Sequence, residues 1–123
     1  MKNLTSLISR WKIEYFKIGS IRSILFLNQE IFFTKKGFEH LLVKHGHNRN
    51  IINQTRRLLL LKHAIYILQD VNADIEYRHN NKGKNIMHFW GVTSIINDRK
   101  IKVVIQKTNS DDRLIFLSIM DHK

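Results

Sequence analysis

The chain has 123 residues, 43% of them apolar, which suits one domain with a core of its own over 1–123. Lysine and arginine number 21 against 10 aspartates and glutamates, a formal charge of +11, so attraction to polyanions and a salt-sensitive association are expected. There is no cysteine, which excludes a disulfide framework, a thiolate zinc site and a thiol nucleophile.

Proline is also absent. Helix interiors are therefore uninterrupted, and turns fall to Gly, Asn and Asp. The first ten residues lack the apolar run of a secretory signal, and no stretch approaches the roughly 18 apolar residues of a membrane span. No membrane partner is expected, and the expected location is a cytoplasm, the cell's own or that of a target.

In chain order, Leu4, Leu7, Ile8, Trp11, Tyr15 and Ile18 recur at spacings of three and four. They predict an amphipathic helix over 3–17, stopped by Gly19. Residues 24–27 and 30–33 read as short extended pieces. This first stretch, 1–30, is an N-terminal helix and extension to a core over 31–123. Thr34 stands where a helix cap is wanted, before a helix over 35–45 that carries His40 and His45 and stops at Gly46. Residues 50–69 read as one long helix whose apolar residues nearly encircle it, as for a helix between two layers. At about 100° per residue, Arg49, Arg56 and His63 fall on one stripe of it. Arg57 lies elsewhere, among apolar neighbours, and should either meet a carboxylate (Asp70 or Glu76) or reach into a cleft.

After Asp70 the period changes to two. Strands are predicted over 73–79, 86–96, 101–107 and 114–120, joined by Asn- and Asp-rich turns at 80–83, 97–98 and 109–112. The fold class is α+β, with N-terminal helices packed on one face of a four-stranded antiparallel sheet. Alternation turns Ile101, Val103 and Ile105 toward the helices, together with Ile115, Leu117 and Ile119. The open face should then show Lys102, Gln106 and Ser118, with Arg78, His88 and Trp90, and should leave Leu114, Phe116 and Met120 on that side.

His40 and His45 are five residues apart, about 140° of helical rotation, so they do not stack but can flank one cleft. Histidine suits proton transfer near neutrality, and arginine and lysine stabilise phosphate charge. The bland alternative packs one histidine on the sheet and leaves the other at a solvated helix end. A metal site from His40, His45 and His47 lacks both the spacing and a carboxylate; no metal or cofactor is expected. Trp90 and His88 on an open sheet face could stack on bases, as aromatics do in RNA-binding sheets, or belong to the core. Ser118 in an apolar strand could bond a phosphate oxygen or a neighbouring backbone group.

Residues 31–45 (IFFTKKGFEHLLVKH), the helix ending AIYILQD at Asp70 and the meander ending LIFLSIM around Ser118 together resemble the phage and polymorphic-toxin branch of the barnase–EndoU–colicin E5/D–RelE-like nucleases. The resemblance covers about residues 30–120. It implies a strand, a His-bearing helix, a second helix and an antiparallel sheet with a hydroxyl residue in its last strand. It further implies His40 and His45 as catalytic residues, Ser118 as that hydroxyl, and Arg57 or Arg49 as the phosphate cation. Members are mostly ribonucleases, often toxins neutralised by an antitoxin or immunity protein.

The expectation is a metal-independent endoribonuclease toxin acting on tRNA or mRNA through 2′-OH attack. His40, His45, Arg57 and Ser118 are its catalytic residues; Arg49, Arg56, Lys102, Gln106, Trp90 and His88 contact RNA. The rival expectation is a basic nucleic-acid-binding module that does not cut.

Overall fold

The computed structural model describes residues 4–108 and 111–122. Helix α1 (Leu4–Ile18) leads into β1 (Ser20–Ser23), a 3-10 turn (Ile24–Phe26) and β2 (Gln29–Phe32). Helix α2 (Lys35–Leu42) is followed by a small hairpin, β3 (Val43–Lys44) and β4 (His47–Asn48). Helix α3 (Ile51–Leu60), a 3-10 turn (Leu61–His63) and α4 (Ala64–Leu68) precede the long strands β5 (Asp74–Lys82), β6 (Asn85–Ile96), β7 (Arg99–Thr108) and β8 (Asp111–His122).

Local chemistry explains several of these boundaries. Gly19, at φ 65°, releases the chain from α1, and Asn97 and Asp98 are both left-handed, at φ 51° and 62°. Two such residues make the tight turn whose twist matches a hairpin, here between β6 and β7. His45 and Gly46 do the same at φ 53° and 78°. They close Val43 onto Asn48 and Lys44 onto His47, so α2 stops at Leu42 and not at residue 45. Thr34 holds the N-cap position, but its hydroxyl makes no cap bond. The helix expected over 50–69 is divided by the 3-10 turn. That tighter winding re-phases the chain so that Leu58 and Leu60 before it, and Ala64, Ile67 and Leu68 after it, all reach the core. The turn expected at 109–112 falls partly on residues 109 and 110, outside the described residues.

The sheet has six strands, in the order β1-β2-β8-β7-β6-β5, where four were expected. The meander β5 to β8 is antiparallel throughout. The added pair β1–β2 joins the free edge of β8 through a parallel contact, Ile31 with Leu114 and Phe32 with Ile115. An unpaired inner edge would expose a row of backbone donors and acceptors. A parallel partner so distant in sequence leaves no trace in local periodicity.

All four helices send residues into one core on one side of the sheet: Tyr15, Phe38, Leu41, Leu58, Leu60, Ala64, Ile67 and Leu68 meet Val92, Ile101, Val103, Ile105, Leu114, Phe116 and Ile119. Tyr15 is its centre, edge-on to Phe33 and Phe116, and its hydroxyl donates to the Thr34 carbonyl at 2.6 Å. Burial pushes that phenol well above its usual pKa. Helix α2 lies against β8 so closely that a Cβ on Gly37 would stand 2.2 Å from the Phe116 carbonyl oxygen.

A β-bulge corrects the expected faces of the last strand. Ile105 pairs with Phe116, but Val104 pairs with Ser118, leaving Leu117 extra. Before the bulge Leu114 and Phe116 face the helices and Ile115 faces away. After it Ile119 faces the helices, with Ser118 and Met120 on the far side. Simple alternation assigns Leu114, Ile115 and Phe116 to the wrong faces, because one inserted residue reverses the phase.

Candidate active site

Helix α2 places Lys36 in its first turn and His40 in its last, one helical turn apart on one face. The β3–β4 hairpin returns the chain so that Arg49 donates its backbone N–H to the Leu42 carbonyl, 2.8 Å, and its Nε to the His40 carbonyl, 3.1 Å. Gln54 donates to the same Leu42 carbonyl at 2.9 Å, tying α3 to the end of α2. Asn50 caps α3 by accepting from the Asn53 backbone, 2.8 Å. Asn53 in turn accepts from Arg57 Nε one turn later, 2.9 Å. Arg57 Nη1 donates to Ser118 Oγ at 2.7 Å and to the Ile119 carbonyl at 3.2 Å. Among the described residues no strand pairs with that edge of β8 beyond Ile115, which leaves the Ile119 carbonyl to Arg57. Lys36 Nζ donates to Gln106 Oε1 at 2.7 Å. Gln106 pairs with Ile115, and Ser118 pairs with Val104, so both side chains belong to the far face.

Six side chains therefore converge, Arg49 from the β4–α3 connection and the others from α2, α3, β7 and β8: Lys36, His40, Arg49, Arg57, Gln106 and Ser118. The cations act on one another. Burial first, then Arg49, Arg57, Lys36 and Lys44, hold His40 below its ordinary pKa of 6.5. Burial, then Arg49, lowers Arg57 from 12.5 to about 10, with Asp121 opposing. Burial alone lowers Arg49. Among the described residues none of Lys36, Arg49 and Arg57 forms an ion pair; Asp121 is 3.6 Å from Arg99. The Nδ1 of His40 is buried without a hydrogen-bond partner. A group of like charges with no ion-paired carboxylate among the described residues can attract an anion. A neutral imidazole beside it is in the protonation state of a base. Ser118 Oγ accepts from Arg57 and keeps its own O–H to donate.

The other residues marked by the sequence lie as follows. His45 is exposed in the hairpin turn, and His47 is exposed on β4. Arg56 and His63 do not share a stripe with Arg49, because Arg49 precedes the helix. They line instead a groove of about 650 Å³ with Ile51, Ile52, Leu59 and Ile96, together with Lys62 and Arg99. Arg57 meets neither Asp70 nor Glu76; Asp70 accepts from Ser94 Oγ at 2.7 Å.

Lys102 is on the far face, across from Met120. His88 and Trp90 are not on that face with Arg78, as expected. Trp90 pairs with Tyr77 and stands edge-on to Phe26 at 5.8 Å, on the helix side. There Tyr77, His79, His88 and Trp90 form a ladder of ring contacts at 5.3–6.2 Å. The cause is register: His88 pairs with His79 and Phe89 with Arg78, so the far face receives Phe89.

Lys36 and Asn53 were not singled out from sequence. Each precedes a marked residue by four positions on its helix, which is the signal that could have found them. Among the described residues no group of three His, Cys, Asp or Glu could hold a metal ion, and no helix is long and apolar enough to cross a membrane. Comparison with protein-family models, curated proteins and solved structures finds no match for this chain.

Proposed function

We propose that this protein is a metal-independent endoribonuclease that cuts tRNA or mRNA by attack of a ribose 2′-oxygen on the adjoining phosphorus. The observation that carries this reading is His40, with its unpartnered buried Nδ1, among Lys36, Arg49 and Arg57, none of which is ion-paired among the described residues. His40 takes the proton of the 2′-OH. The 2′-oxygen bonds to phosphorus, the bond from phosphorus to the 5′-oxygen breaks, and that oxygen leaves with a proton. The products are a 2′,3′-cyclic phosphate and a 5′-hydroxyl. Arg57, Arg49 and Lys36 stabilise the charge that builds on the phosphoryl oxygens, and Ser118 donates to one of them. His45, the second histidine of the segment, is assigned the proton for the leaving oxygen. Arg56, Lys102 and Gln106 extend the contact to neighbouring phosphates, and His88 and Trp90 offer ring faces to bases. The toxin role, an antitoxin or immunity partner and action in a cytoplasm follow from the family resemblance together with the charge of +11.

The purified protein is incubated with total RNA and EDTA beside His40→Ala and His45→Ala. Cleavage that persists in EDTA and fails in the variants supports the reading; full activity in both variants overturns it. The second reading is a binding module, favoured by the ring ladder of Tyr77, His79, His88 and Trp90. Intact RNA with a retarded band on a native gel, unaffected by either His variant, selects it.

A further inference from the structure

On the far face of the sheet, Lys36 of α2 reaches Gln106 and Arg57 of α3 reaches Ser118. One row of register partners on this face runs Ser118, Val104, Gly91, Glu76. It begins at the hydroxyl bonded to Arg57 and ends at a carboxylate on the outermost strand. Between them is a hollow of about 170 Å³ lined by Glu76, Arg78, Phe89, Gly91, Lys102 and Val104. At about 30 Å³ per water it holds about five or six waters, the scale of one heterocyclic ring.

Three details of the hollow point to a ligand. Gly91 is a glycine in mid-strand, which weakens a strand and marks a close approach; a Cβ there would stand 2.5 Å from Lys102 Cε. The Arg78 guanidinium lies over the Phe89 ring, 5.2 Å from its centroid, a flat plate of the kind on which bases stack. Glu76 supplies an acceptor-only group at the far wall. Two strand spacings, about 10 Å, separate Gly91 from Ser118. That is the reach from one phosphate to the base of an adjoining nucleotide.

We propose that this hollow binds the nucleobase flanking the phosphate held at Arg57 and Ser118, and that Glu76 selects a base presenting an amino group. The inference rests on the reading of the Arg57 cluster as a phosphate site. Glu76 accepts from the exocyclic amine of cytosine, adenine or guanine, whereas uracil carries no such group. The base lies against the Arg78–Phe89 plate, beside the Lys102 side chain that crosses Gly91.

The test uses 5′-fluorescein-labelled uridine 8-mers, unmodified or with one central cytidine or adenosine, titrated by anisotropy against the full chain carrying His40→Ala. The amino-bearing 8-mers are expected to bind about 10-fold more tightly than the all-uridine 8-mer, within the range of one good base-edge contact. Glu76→Ala is expected to bring that ratio to about one. Gly91→Val, which forces the Lys102 side chain off Gly91 into the hollow, is expected to do the same and also to weaken each amino-bearing 8-mer. Arg57→Met should weaken every 8-mer alike. No preference in the parent, or a preference that survives Glu76→Ala, overturns the base site. Cleavage by the unsubstituted chain is scored separately, so intact RNA beside a Glu76-dependent preference counts against the nuclease reading alone.

Discussion

Arg57→Met isolates the function of the cation cluster from its contribution to the fold. Methionine keeps most of the side chain's length and its apolar stem but removes the charge. The three hydrogen bonds to Asn53, Ser118 and Ile119 are lost, at about 1.5–3 kcal/mol for a bond to a charged group. Against this, lowering the guanidinium from 12.5 to about 10 means that the fold holds about 3 kcal/mol against the charged form. Three such bonds total about 4.5–9 kcal/mol, so they outweigh the penalty on the charge. Urea denaturation should therefore show a loss of about 1–6 kcal/mol, while cleavage falls by about 100- to 1,000-fold. Inorganic phosphate gives a second readout. A site half-saturated at one tenth of the phosphate added stabilises the native chain by about 1.4 kcal/mol, roughly 5 °C in Tm for a domain of this size. Arg57→Met should lose that rise. A destabilised Arg57→Met with cleavage intact and the phosphate shift retained would refute the argument and make Arg57 a structural tie between α3 and β8.

Other outcomes follow from the same geometry. Because His40 titrates below 6.5 in the fold, the acid limb of kcat/KM should lie below pH 6.5, and His40→Gln should remove it; a limb above 6.5 would contradict the cationic surroundings. The linked stability has a definite sign. The folded state binds fewer protons here than the unfolded chain, so stability is full above pH 6.5 and declines as pH falls from 6.5 to the lowered pKa. His40→Gln should flatten that decline in urea titrations across pH. Gly37→Ala, which in an open helix would stabilise by about 1 kcal/mol, should here destabilise by about 1–3 kcal/mol, since the Phe116 carbonyl and the Tyr15 hydroxyl at 2.6 Å have no room to yield. A stabilised Gly37→Ala in thermal unfolding would show that α2 does not sit against β8 as described.

The sequence alone determines the parts of this protein that depend on neighbours along the chain. Apolar residues spaced by three and four make α1, and strict alternation with Asn97-Asp98 at φ 51° and 62° makes the β6–β7 hairpin. Thr34 before Lys36 and His40 marks the start of α2. The charge of +11 favours attraction to polyanions. Tertiary structure decided the rest, because the contacts that set it join distant segments. β1 and β2 enter the sheet only through two parallel pairs with β8. One inserted residue, Leu117, reverses the phase of β8, so that Leu114 and Phe116 face the helices and Ile115 faces away. The register of β5 on β6 sends Trp90 to the core side and Phe89 to the other, a choice that two adjacent aromatics in a strand leave open. Arg49 illustrates the difference most simply. A helical wheel groups it with Arg56 and His63, yet the hairpin before α3 carries it back to the His40 carbonyl, because a stripe on a wheel exists only where the helix does.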